Sequence, residues 1–196
     1  MGEIKSALEL ALERTAGVAG DKSKLEAHEA KQRGMRIAGK FLEDQGVDLK
    51  AELHKEEKPQ RRAVRDGIFQ VLLSQLALPG QAADLDRLQP VQKGLVSIIR
   101  ERGVVEDLMG QVSQLLQQYL DNKNQLTEAL RQQFEPRMRQ KEEQIAQQTG
   151  RRMKLDPSTD PEFAKALNQN MQRLQSQYGA VIQQAKEQLQ SLYDRG

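Results

Sequence analysis

The chain has 196 residues, a net charge of +2 and no cysteine, which excludes disulfides and thiolate chemistry. Hydrophobic residues make up 37%, aromatics only 4%, and tryptophan is absent, so there is little material for a large globular core. The 27 glutamines, with abundant Glu, Lys, Arg, Ala and Leu, are instead the composition of long, narrow helices with thin apolar seams.

Charge is balanced along the chain, with 17 basic against 15 acidic residues up to Arg100 and 13 against 13 after it. That balance points neither to a protein that coats nucleic acid nor to an acidic tail. No apolar run approaches the ~20 residues of a transmembrane helix, so no membrane partner is expected. The opening residues carry acids throughout and lack an apolar h-region, unlike a signal peptide. Gly2 lacks the downstream Ser or Thr of a myristoylation site. A cytoplasmic protein is the expectation.

In chain order, Ile4, Leu8, Ala11, Leu12 and Thr15 mark an amphipathic first helix, which Gly17 and Gly20 are expected to end. Asp21 or Ser23 can cap a second helix running to about Asp44, its poor apolar face made of Leu25, Met35, Ile37, Ala38, Phe41 and Leu42. Gly46 stops it. A short helix is expected at Leu49 to Lys55, followed by the charged linker "HKEEKP". In "RRAVRDGIFQVLLSQLAL", Val64, Ile68, Val71, Leu72 and Leu76 form one stripe, which Phe69 and Leu73 widen. Such width means burial on more than one side. Pro79 and Gly80 break it. Leu85, Leu88, Val91, Leu95, Ile98 and Ile99 make the next stripe, with Pro90 near its start and Gly103 at its close. Residues 60–102 are therefore the expected compact core.

From Val105 to Thr149 the only glycine is Gly110 and the only proline is Pro136, where a kink is expected. Leu108, Val112, Leu115, Tyr119, Asn122 and Leu126 mark a seam that Leu130, Phe134, Met138, Lys141 and Ile145 extend at wider steps. Asp160, Pro161 and Glu162 read as N-cap, first helical residue and first-turn acid of the next helix. Leu167, Met171, Leu174, Tyr178, Val181 and Ala185 then keep a heptad seam. The two lists match as antiparallel partners when their residue numbers sum to about 308–309, which pairs Leu130 with Tyr178 and Ile145 with Phe163. The expected fold is thus all-α: a helical domain over 1–104 and a long antiparallel coiled-coil hairpin over 105–196, its tip at about 150–160.

"GMRIAGKF" satisfies six of the seven features of a phosphate-binding loop, so Gly34–Lys40 stand as a nucleotide-site candidate. Phe41 replaces the Mg²⁺-binding hydroxyl, and a polar helical segment precedes it in place of a strand. His28 and His54 are too few for a metal centre, no nucleophile motif is present, and Glu56–Glu57 and Glu142–Glu143 read as solvated faces. No cofactor, metal or catalytic residue is assigned. The candidate contact residues are the basic side chains around the tip: Arg151, Arg152, Lys154, Arg137, Arg139 and Lys141. Basic charge at a helix C-terminus also complements the helix dipole, which accounts for Arg151 and Arg152 without a ligand.

"GEIKSALELALERT" resembles the N-terminus of an uncharacterised family of bacterial helical proteins. The resemblance implies a bacterial, cytoplasmic, all-helical protein and supplies no site residues. The functional expectation is an interaction or scaffold protein with a protein partner, a second copy of the chain included, since Leu73, Leu116 and Leu120 lie beside their helices' main stripes. The alternatives are nucleic-acid binding through the tip and through Arg61, Arg62 and Arg65, and nucleotide binding through Gly34–Lys40.

Overall fold

The computed structural model describes the backbone of residues 7–44 and 46–195, and the side chains of residues 23–44 and 46–195. It is all-α. Among these residues six helices follow in order: α1 (Ala7–Glu43), α2 (Leu49–Lys55), α3 (Lys58–Ser74), α4 (Leu88–Ile98), α5 (Arg102–Thr149) and α6 (Pro161–Asp194). Short 3-10 turns occupy Ala82–Arg87 and Pro157–Thr159. No strand occurs among the described residues, and none of their helices is long and apolar enough to cross a membrane.

Two expected breaks are absent. Gly17 and Gly20 lie inside α1, which runs as one helix where two were expected. A glycine in a helix costs only about 1 kcal/mol relative to alanine, which 37 residues of continuous hydrogen bonding override. Gly103 likewise sits in the first turn of α5 rather than closing α4. The apolar stripe expected from Ile4 to Thr15, and Gly2, lie outside the residues whose side chains are described. Helix α2 has the bounds its sequence implies, because Asp48 caps it by accepting from Lys50 N at 2.9 Å and Ala51 N at 3.3 Å. The charged linker shrinks to Glu56 and Glu57, since Pro59 belongs to the first turn of α3.

The chain forms two compact units that are not successive blocks of sequence. Unit 1 holds the described residues up to Gln75, Gln89–Val105 and those from Leu192 onward; unit 2 holds Leu76–Leu88 and Glu106–Ser191.

In unit 1, α1 and α3 approach until their backbones touch. A Cβ on Gly34 would collide with the Val64 carbonyl, and one on Gly67 with the Lys31 carbonyl. Ala30, Gly34 and Ala38, four residues apart, give α1 the small stripe this approach needs. Gly94 admits the side chains of Leu72 and Phe41 in the same way. The buried apolar set includes Phe41, Leu49, Leu53, Val64, Ile68, Leu72, Val91, Leu95 and Ile98. The core thus draws on α1 and α2 as well as on the 60–102 stretch.

In unit 2, α5 continues through Pro136, which is exposed. The Gln132 carbonyl that loses its helical partner there belongs to an exposed residue. Contacts between α5 and α6 pair falling numbers on α5 with rising numbers on α6. Lys141 bonds Asp160 at 2.5 Å; Phe134 meets Phe163 edge-on with centroids 5.5 Å apart; Asn122 donates to the Tyr178 hydroxyl at 2.7 Å. The expected register, with Leu130 opposite Tyr178, is therefore displaced: Tyr178 meets Tyr119 and Asn122. The displacement arises in the connection. Glu142 accepts from Leu155 N at 2.5 Å, so the segment after Gly150 runs back beside the last turns of α5 before α6 begins. The α6 seam also changes face after Tyr178, since Val181 is 44% exposed and Ile182 only 4%. It continues through Ala185, Leu189 and Leu192. Leu116 and Leu120 are buried within the chain and do not supply the apolar surface expected for self-association.

Candidate functional site: a basic tip and a basic cleft

The tip of unit 2 is built by four local devices. Gly150 takes φ +67°, the left-handed conformation that ends α5, and its N–H reaches the Ala146 carbonyl at 2.9 Å. Asp156 accepts from Ser158 N at 2.9 Å. Asp160 caps α6, accepting from Glu162 N at 2.8 Å and Phe163 N at 3.4 Å. Pro161 follows with its fixed φ at the first helical position.

The six candidate cations divide into two sets. Lys141 bonds Asp160, the one buried charged residue among the described side chains, at 2.5 Å. Arg137 pairs with Glu162 and lies 3.9 Å from Asp160. Arg139 pairs with Glu135 at 2.6 Å, one turn away on the same helix. The Lys141 ammonium, aided by the N–H groups of Glu162 and Phe163, pulls the Asp160 carboxyl down to about 2 against the opposing effect of burial. Hydrogen bonding and charge from Arg137 hold the Glu162 carboxyl below its usual range. Lys141 and Arg137 lock the start of α6 against α5, while Arg139 pairs within α5. Arg151, Arg152 and Lys154 enter none of these pairs and are exposed, with Met153 between them 57% exposed. Beside the returning segment lie two hollows along α5, one of about 400 Å³ that Lys154 lines and one of about 510 Å³ that Arg152 and Met153 line.

The Gly34–Lys40 candidate does not survive. All seven residues lie inside α1, with helix before them in place of a strand. Their N–H groups are committed to helical bonds and cannot cradle a phosphate. Gly34 is there for the backbone contact with Val64.

A second basic feature lies wholly in unit 1. A cleft of about 600 Å³ is lined by Lys50 and His54 of α2, by Lys58, Arg61, Arg62 and Arg65 of α3, and by Tyr193. Lys58, Arg61 or Arg62, and Arg65 recur at helical spacing and share one face of α3. Tyr193 is fixed on every side. Its ring stacks on Phe69 with centroids 4.1 Å apart and an interplanar angle of 10°. The Arg65 guanidinium sits 4.6 Å from the same ring centre, and the hydroxyl donates to Asp66 Oδ1 at 2.6 Å. Burial first, and the Asp66 carboxylate second, push the Tyr193 hydroxyl far up, so it stays neutral and acts as a donor. Arg61 closes the end of α2 through the carbonyls of His54 at 3.3 Å and Glu56 at 3.1 Å. The His54 ring Nδ1 lies 2.6 Å from the Lys50 carbonyl.

Sequence reasoning found Arg61, Arg62 and Arg65 but not their neighbours. The α3 spacing extends to Lys58 and was available as a signal. Tyr193, which is 127 residues from Asp66, carried none.

Residues 50–191 match a family described as a family of unknown function, DUF6657. The match begins in α2 and includes both the tip and most of the cleft, but not the opening block that carried the resemblance. No curated protein matches, and no solved structure matches.

Proposed function

The chain belongs to DUF6657, and we propose that it is a non-enzymatic helical interaction protein that contacts an acidic surface of a protein partner through the α5–α6 connection. In this reading residues 105–196 work as an antiparallel coiled-coil hairpin that presents Arg151, Arg152 and Lys154. One observation carries it. Gly150, Asp156 and Asp160 do the work of reversing the chain, which leaves three exposed cations around an exposed methionine that the turn does not need. Arginine and methionine are enriched in protein interfaces. A base-stacking surface would need exposed aromatic rings, and Phe163, in the first turn of α6, is buried.

The test is affinity capture from the source organism with the wild-type chain and with a variant carrying Arg151→Gln, Arg152→Gln and Lys154→Gln. The expected result is a protein retained by the wild type and lost by the variant, with unchanged melting of the variant. Identical captured sets would overturn the reading. So would capture of nucleic acid alone, with an affinity that falls steeply with salt.

A further inference from the structure

We propose that the cleft of unit 1 is a binding site for a phosphorylated small molecule, held through its phosphate groups by the cations of α2 and α3. This site is independent of the tip.

Size sets the class of ligand. A cleft of about 600 Å³ lies in the range of small-molecule sites, roughly 300–1,000 Å³. Charge sets the chemistry. Among the described residues that line it, Lys50, Lys58, Arg61, Arg62 and Arg65 face two carboxylates, Asp66 and Asp194. Asp66 already receives the Tyr193 hydroxyl. A single carboxylate ligand would leave most of the excess positive charge unanswered, whereas a di- or triphosphate matches it. The apolar walls at Leu53, Ile98 and Tyr193 strengthen the field of those cations inside the cleft.

Hydrogen bonding points the same way. Arg61 Nε and Arg65 Nε are buried and have no hydrogen-bond partner among the described residues. Buried polar atoms in folded proteins nearly always have a partner. Both side chains line this cleft, and phosphate oxygens are acceptors suited to the guanidinium fork. The ring of Tyr193 is already held by Phe69 and by Arg65, so it offers no platform for a nucleobase. Recognition therefore rests on the phosphates and not on an attached base.

The experiment is calorimetric titration of the full chain with inorganic pyrophosphate and with adenosine diphosphate. Saturable one-site binding of pyrophosphate is expected, with adenosine diphosphate within a few-fold of it. The variant Lys50→Gln/Lys58→Gln/Arg62→Gln changes exposed side chains and should bind pyrophosphate at least about tenfold more weakly while melting normally. The tip variant should bind it as the wild type does. Three results would each overturn the proposal: no saturation by millimolar pyrophosphate, undiminished binding in the cleft variant, or adenosine diphosphate bound about a hundredfold more tightly than pyrophosphate.

Discussion

The Tyr193 hydroxyl donates to Asp66 Oδ1 at 2.6 Å, joining the last turn of α6 to α3 across 127 residues of sequence. The same ring lies flat on Phe69 and under Arg65. One side chain thus combines an apolar stack, a cation–π contact and a hydrogen bond. Tyr193→Phe keeps the stack and removes only the donor, so it should cost about 1 kcal/mol in urea unfolding. Tyr193→Ala also removes the buried ring and should cost about 3–5 kcal/mol. Equal losses for the two would mean that the ring contributes nothing.

Glycines in the helices should divide sharply by position. Gly34→Ala and Gly67→Ala place a methyl group against a backbone carbonyl, which cannot rotate away. Each should cost about 3 kcal/mol or more, through forced separation of α1 and α3. Gly39, Gly110 and Gly179 have open space where a Cβ would sit. Alanine there should stabilise by roughly 0.5–1 kcal/mol. Denaturant midpoints of the five variants decide it, and a loss at Gly110 matching that at Gly67 would refute the close contact.

The lowered Asp160 carboxyl gives a pH dependence of definite sign. It binds a proton at about 2 in the folded chain against an ordinary value of 3.8. On acidification the unfolded chain therefore takes up that proton first. The stabilisation by Asp160 is complete above its ordinary value and disappears as pH falls through about 2. Asp160→Asn should flatten the fall in stability between pH 4 and pH 2, measured by thermal melting, and Lys141→Met should move it to higher pH. An unchanged acid limb in both variants would contradict the pairing.

The displaced register can be checked chemically. Cysteines at Phe134 and Phe163 should join with a short thiol cross-linker within one chain, since the native rings touch. Cysteines at Leu130 and Tyr178 should not. Tyr178 lies beside Asn122, eight residues or roughly 12 Å along α5 from Leu130. Efficient cross-linking of the second pair would restore the symmetric hairpin.

Local chemistry was the legible part of this sequence. Asp160 and Pro161 act as N-cap and first helical residue as read, because their effect depends only on the next few residues. Two kinds of feature were not legible. The α5–α6 register depends on Leu155 N reaching back to Glu142, and heptad spacing alone is satisfied by several registers. The role of Gly34 depends on Val64, which lies on another helix. Read locally it fitted a phosphate loop, and the partner that explains it is visible only in the packing of α1 on α3. Arg137 and Lys141 looked like contact residues for the same reason, since their carboxylate partners lie beyond the connection.

The tip is tested most directly by the association rate of the captured partner, measured against ionic strength for the wild-type chain and for the Arg151→Gln/Arg152→Gln/Lys154→Gln variant. Exposed charges at the edge of an interface act mainly by steering encounter. The wild-type rate should fall as salt rises, and the variant rate should be slower and nearly insensitive to salt. Identical rates with identical salt dependence in the two proteins would contradict a contact role for Arg151, Arg152 and Lys154.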